Sequence, residues 1–423
     1  MTVDNQSSPV KMEDKFYMTY ILFYSLGTAV LIPSNFFITA TDYWMFKFRD
    51  PNNHPSNETF SSGSRTELQA QFISDYSIVT HVGSIGFMVV TIAFARKWSL
   101  VKRLIGGLSG AVIMFAITCM FVGVDTDSWQ IGFFIVTLLT GFVLTAFYSQ
   151  LMVTIFQLVS KFPAGYLAAV LNGQALCGIF AALVQISSLS IGASSKTSGL
   201  VYFSIGMFFI FITLLGFLAT MTRSQYFKYH FKKEEVQVET PRVIKELFIS
   251  ILKKIRFYIS AMVIVMGSTI MIHPGVTSLV VSVNKGSGHK WNDVYFVPVV
   301  TFLLYHVADY IGRELARVIE KPCNSTIILV LSICRVAFVP LLMFCNAHPR
   351  AHLQVIFDED YAYIIFILIF AFSNGYLMNL CVIRIVKTTT EEEKNIALVF
   401  ILGFMLISVG ACSFLTVVFV KAL

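Results

Sequence analysis

Charge is scarce in this sequence. Asp, Glu, Lys and Arg make up 13% of its 423 residues, against about 25% in a typical soluble domain. Residues 104–124, 199–219, 361–383 and 396–420 contain none at all. Each run is long enough to cross a hydrocarbon layer of about 30 Å as a helix. A water-soluble fold would have to bury many helices with no polar face, so that class is excluded. Paired cysteine is also missing. The seven cysteines (119, 177, 323, 334, 345, 381 and 412) lie in or beside apolar runs with no paired spacing. That argues against a disulfide framework or a zinc site and leaves them as small packing residues. There is no phosphate-binding loop, GxGxxG turn, HExxH, CxxC or Ser/His/Asp pattern. The chain is therefore expected to be no enzyme and to need no cofactor or metal. The opening MTVDNQSSPVKMEDK is polar, and no small-residue cleavage pattern closes the apolar run after it. That run reads as a first membrane helix, not a signal peptide.

What is present is a succession of apolar runs with mean hydropathy +0.74. They predict an all-α polytopic membrane protein of eleven spans: 16–40, 73–95, 104–124, 130–160, 163–191, 199–222, 257–283, 294–318, 325–346, 361–383 and 396–420. The polar 223–256 segment divides the chain. Residues 1–15 form an N-terminal tail, 16–222 a six-helix bundle, 223–256 a linker and 257–423 a five-helix bundle. Within the linker, VIKELFISILKKIR sets basic residues among apolar ones at helical spacing. It fits an interfacial helix on an anionic leaflet or a plain basic connection.

Most of the Lys and Arg fall in one set of alternate segments: the N-terminus, RKWSLVKR, Lys161, the linker, Arg317 with Lys321, and Arg384, Lys387 and Lys394. The positive-inside rule makes that set cytoplasmic, and an odd span count then puts the C-terminus outside. Trp44, Trp98, Trp129 and Trp291 fall at predicted span ends, as aromatic belts do. Asn57 opens the sequon NET in the long first loop, on the predicted outer side, and is a candidate glycosylation site.

Ionisable residues within membrane spans count as site candidates. Asp309 and Arg313 stand at i and i+4, where side chains share a helix face, and His306 lies one turn earlier. Glu314 and Arg317 read as the solvated inner end. The pair fits a structural bridge between helices or a polar patch for a polar solute. Asn35, Gln150, Gln157, Asn172, Gln174, Asn374 and Asn379 add polar groups in apolar surroundings. So many, with a charge pair, suggest a solute path rather than isolated interhelical bonds. Arg335 reads as a residue snorkelling towards the cytoplasm or pairing with a loop acid. His306 beside Asp309 is either a pH-responsive group or a simple hydrogen-bonding one.

These motifs, in this order, resemble the equilibrative nucleoside transporters. LGTAVLIPSNFFITATDYW in the first span, GYLAAVLNGQALCGIFAALVQI in the fifth and HPGVTS in the seventh are similar to that family's signatures. So are DYIGR in the eighth, RVAFVPLLMFCN with HPR in the ninth, and FAFSNGYL in the tenth. The resemblance covers nearly the whole chain. It implies a major-facilitator-like bundle of six plus five helices and facilitated, alternating-access transport of nucleosides, and in some members nucleobases. The N-terminal tail has no acidic dileucine sorting signal, which favours the plasma membrane over an intracellular one. The resemblance implies that Asp309 and Arg313 meet the ribose hydroxyls and that Gln150 meets the base. It matches Asn172, Gly173 and Gln174, and Asn374 with Gly375, to further family positions. Ser34 stands where many members carry Trp, beside Asn35. His273 stands where an aromatic is common, and His306 where Asn is. A proton-coupled nucleoside carrier, a carrier of another polar solute, and a receptor or channel subunit remain the alternatives. The expected partners are a nucleoside and the lipid bilayer, with no nucleic acid.

Overall fold

A computed structural model describes residues 13–50, 66–94, 97–191, 194–232, 241–348, 350 and 352–423. The candidate glycosylation site Asn57 lies outside the described residues. Helices dominate: α1 Met18–Thr39, α2 Thr41–Lys47, α3 Glu67–Phe94, α4 Leu100–Gly123, α5 Gln130–Val159, α6 Ala164–Ile191, α7 Ser195–Arg223, α8 Gln225–Phe231, α9 Pro241–Ile272, α10 Tyr305–Ile319, α11 Ser325–Arg335, α12 Phe338–Met343, α13 Asp360–Thr388 and α14 Glu391–Ala422. Among the described residues there is no β-strand.

Many of these helices are apolar on faces that no other helix covers. Ile131, Ile135 and Leu139 form one exposed stripe on α5, and Phe208, Ile212 and Leu215 another on α7. A helix that is apolar all round is stable only in a large core or a membrane. Ten helical segments among the described residues are long and apolar enough to span a bilayer. This makes the chain a multi-pass membrane protein.

The eighth predicted span is formed differently from the other ten. Trp291–Tyr295 and Val297–Leu304 take the wider π-helical geometry, and α-helical geometry begins only at Tyr305. Pro298 lies at the start of the second stretch and has no N–H for a regular ladder. The α-helical half, which carries His306, Asp309, Arg313, Glu314 and Arg317, is only 15 residues long and is too short to cross a bilayer by itself. The ninth span is also divided, into α11 and α12. Pro340 cannot donate to the carbonyl four residues back, and its ring opens that turn.

Two further expectations are corrected. VIKELFISILKKIR is neither a separate interfacial helix nor a plain linker but the first part of α9, which runs 32 residues without a break into the seventh span. At 1.5 Å per residue, a helix of this length outreaches the bilayer core. Its Ile251 and Ile255 are buried, Phe248 packs on Phe400, and Lys254 pairs with Glu393 at 2.9 Å. Trp44 is not a belt residue. It is buried among Phe37, Tyr43, Phe48, Phe72 and Phe203, and its indole donates to the Phe37 carbonyl at 2.7 Å. The short α2 places it there. At the end of α2, Lys47 donates to the carbonyls of Phe121 and Val124 at the C-terminus of α4. Burial pushes its ammonium down to about 8.

In the first half α1 packs on α6 and α7, α3 on α5, and α4 on α5 and α7; in the second α9 packs on α11, α13 and α14, and α10 on α13. The halves meet where α14 touches α3 and α5 and where α10 and the π-helical stretch touch α6. Two crossings are close enough to require glycine. A Cβ on Gly173 would lie 2.0 Å from the Tyr24 carbonyl oxygen, and one on Gly375 would lie 1.9 Å from that of Asp309. Small residues allow such backbone approach between membrane helices. Gly375→Leu is expected to reduce folded protein at the membrane severely, by several-fold or more, through overpacking of the α10–α13 crossing. Gly216→Leu, at a position with open space beside it, is expected to change little. Fluorescence-detected size exclusion of the two variants checks this.

Candidate functional site

The site grows from α10. With α-helical geometry restored at Tyr305, residues 306, 309 and 313 fall on one face. Asp309 is buried, its side chain 5% exposed, and Arg313 Nε donates to its Oδ2 at 2.8 Å. Arg313 Nη1 also donates to the Leu171 carbonyl of α6 at 3.3 Å, and so reaches the other half. Asn374 of α13 donates from Nδ2 to Asp309 Oδ1 at 2.6 Å. Each carboxylate oxygen of Asp309 therefore has one donor. A carboxylate offers about four lone-pair positions, so these two donors fill about half of them. A charge at the middle of a bilayer costs about 3 kcal/mol on insertion scales, and this pairing offsets it.

Arg335 departs from expectation. It neither snorkels nor meets a loop acid. It is buried, 2% exposed, with its guanidinium over the Phe370 ring. All five of its N–H groups are used. Nε donates to Ser373 Oγ, Nη1 to the Val265 carbonyl and Ser268 Oγ, and Nη2 to Thr269 Oγ1 and the Phe370 carbonyl, at 2.5–3.1 Å. It stands at the end of α11 and reaches between α9 and α13. Thr269 in turn donates to Asn374 Oδ1 at 2.7 Å. A polar chain thus runs from Arg335 through Thr269 and Asn374 to Asp309 and Arg313. Thr269, Ser268 and Ser373 carry no sequence signal, because hydroxyls in apolar spans are common.

Glu314 is also more than a solvated end. It accepts from Asn172 of α6 and from Arg317, and so links the two halves. Nearby, Tyr24 donates to the Tyr310 hydroxyl at 3.0 Å. The ring of His306 fills the notch beside Gly178 of α6, where an added Cβ would lie 2.1 Å from His306 Nδ1. His273 stacks on Tyr305 with ring centroids 3.7 Å apart and bonds Thr277 at 2.9 Å.

The remaining candidates bond elsewhere. Gln150 donates to the Arg103 carbonyl at 2.7 Å, tying α5 to α4. Gln174 donates to Met152 Sδ at 3.4 Å. Asn35 bonds the Leu31 carbonyl and Cys177 Sγ, and Ser34 is exposed on α1. The structure thus gathers Asp309, Arg313 and Asn374 into one hydrogen-bonded unit with His306 one turn along α10. It does not join Gln150, Gln174, Asn35 or Ser34 to that unit by any hydrogen bond described. Among the described residues no group of three or more His, Cys, Asp or Glu is placed to hold a metal ion.

An all-α membrane bundle in two halves, with a buried charge pair on a helix between them, is the architecture of a major-facilitator-type carrier. The crystal structure of FucP, a Major Facilitator Superfamily transporter in the outward conformation, has the same fold, with a TM-score of 0.55 at 12% identity over 95% of this chain and 97% of that one. A family profile described as Nucleoside transporter matches residues 143–246 and 233–421. The chain belongs to the nucleoside transporter family. It is 27% identical to equilibrative nucleoside transporter 3 of Rattus norvegicus over 426 residues, covering 95% of this chain and 89% of that protein. It is 28% identical to equilibrative nucleoside transporter 1 of Homo sapiens over 449 residues, covering 95% and 97%.

Asp309→Ala leaves Arg313 buried without its counter-charge, which is expected to lower the unfolding free energy in mixed micelles by about 3 kcal/mol. Adding Arg313→Ala is expected to return part of that loss, with a coupling of about 1–3 kcal/mol. A double-mutant cycle of detergent unfolding measures it.

Proposed function

We infer that this chain is a carrier that moves nucleosides down their own gradient across a membrane, with the Asp309–Arg313–Asn374 unit holding the sugar. Family membership and the carrier fold support the activity; the chain-long similarity is to equilibrative nucleoside transporters. The observation that carries the site is the geometry around Asp309: a buried carboxylate with one donor on each oxygen and acceptor positions left over. Two adjacent ribose hydroxyls are donors that fit those positions, and the Arg313 guanidinium offers further N–H groups to the ribose oxygens. Pairing keeps Arg313 neutralised when the site is empty, so solute hydroxyls exchange into a network that never leaves a bare charge. We place the protein in the plasma membrane, with the N-terminus and the basic loops cytoplasmic and the C-terminus outside. The distribution of Lys and Arg supports that orientation.

Expression in cells that lack their own nucleoside carriers is expected to give saturable uridine influx that stops when inside and outside concentrations are equal. Asp309→Ala is expected to abolish influx with the protein still at the surface. Accumulation beyond the outside concentration would contradict facilitated transport, and wild-type influx by Asp309→Ala would contradict the site.

A further inference from the structure

The carboxylate of Asp309 accepts hydrogen bonds only, so the Asn374 amide must present its NH2 group to it. The amide oxygen of Asn374 then faces Thr269, whose hydroxyl lies 2.7 Å away. That hydroxyl has one proton and three oxygens in reach: Asn374 Oδ1, the Val265 carbonyl at 2.8 Å and the Tyr305 hydroxyl. Arg335 decides between them. Its Nη1 donates to the Val265 carbonyl at 3.0 Å, and its Nη2 fills a Thr269 lone pair at 2.9 Å. Val265 is already served by Arg335 and by the Ser268 hydroxyl, and the Tyr305 hydroxyl carries a proton of its own, so the Thr269 proton goes to Asn374 Oδ1, the unserved oxygen that can only accept. Every bond from Arg335 to Asp309 thus points the same way.

We propose that Arg335 is a positioning residue for sugar recognition: through Thr269 it fixes the orientation of the Asn374 amide, and through that amide it aims the Asp309 carboxylate at the ribose hydroxyls. This rests on the ribose reading above. Arg335 itself touches no solute, because all five of its N–H groups are held by α9 and α13. It serves the site at a distance, by two hydrogen bonds between its guanidinium and the Asn374 side chain. The relay also couples the α9–α13 contact to the α10 carboxylate, so solute hydroxyls meet acceptors already set in place rather than ones that must be ordered on binding.

Thr269→Val tests this, because it removes the relaying hydroxyl and keeps the volume and the other four Arg335 bonds. The assay is uptake per surface copy of uridine and of 2′,3′-dideoxyuridine, which lacks the two hydroxyls. Thr269→Val is expected to raise the uridine KM about tenfold, the scale of one hydrogen bond to a charged group. The maximal rate and the dideoxyuridine KM are expected to stay within about twofold of wild type on that basis. Thr269→Ser is expected to restore the uridine KM. Thr269→Ala removes the same hydroxyl without a branched side chain and replaces the Val variant if fewer copies reach the surface. Asp309→Asn, measured beside them, separates the two claims. If Asp309→Asn loses the preference for uridine while Thr269→Val keeps it, or affects both solutes equally, the relay is overturned and the ribose reading stands. If Asp309→Asn keeps the wild-type preference, the ribose reading falls and the relay falls with it.

Discussion

The carboxylate of Asp309 is the group that the rest of the second half is arranged to satisfy. An ionised acceptor in an apolar bundle needs donors on both oxygens, and they come from Arg313 on the same helix and Asn374 on the next. The bond from Asn374 requires α10 and α13 to cross closely, and Gly312 and Gly375 permit that. Each would put a Cβ against the backbone of the other helix. The register of α10 in turn follows from the passage from π- to α-helical geometry at Tyr305. Wide helical turns of this kind often mark functional positions, and here one precedes the charged face directly.

The two Asn-Gly pairs of the sequence play parallel parts. Gly173 and Gly375 each let a neighbouring helix approach, and the asparagine before each reaches a carboxylate of α10. Asn172 bonds Glu314 from the first half, and Asn374 bonds Asp309 from the second. Only the first of these bonds crosses between the halves. In a carrier whose halves rock about a fixed site, the Asn172–Glu314 bond must break when that end opens. The Asp309–Asn374 bond lies within one half and can persist through the cycle. The α10 helix thus carries both a carboxylate held within its own half and one bonded across to the other half.

The sequence made the pair visible and left its surroundings hidden. Asp309 and Arg313 stood out because an apolar span rarely holds charges, and opposite charges four residues apart can neutralise each other on one helix face. The resemblance to nucleoside transporters holds as family and as fold. Arg335 was misplaced because position along a span does not show which face a side chain takes: α11 runs unbroken to Arg335 and turns its guanidinium to the hydroxyls and carbonyls of α9 and α13. Trp44 was misplaced for a related reason: a short helix after the first span folds it into the core. The long α9 ran on through basic residues that looked interfacial, because a helix can leave the membrane without changing direction. Gln150 shows the other limit. Only the resemblance implied a base contact for it, and in this structure its side chain donates to the Arg103 carbonyl of α4.

The most direct test of the central claim is a structure with a bound nucleoside. The account predicts the 2′- and 3′-hydroxyls within hydrogen-bond distance, about 3 Å, of the Asp309 carboxylate, with the Asn374 amide still on Oδ1. A nucleoside whose sugar lies away from α10, with Asp309 bonded only to Arg313 and Asn374, would contradict it.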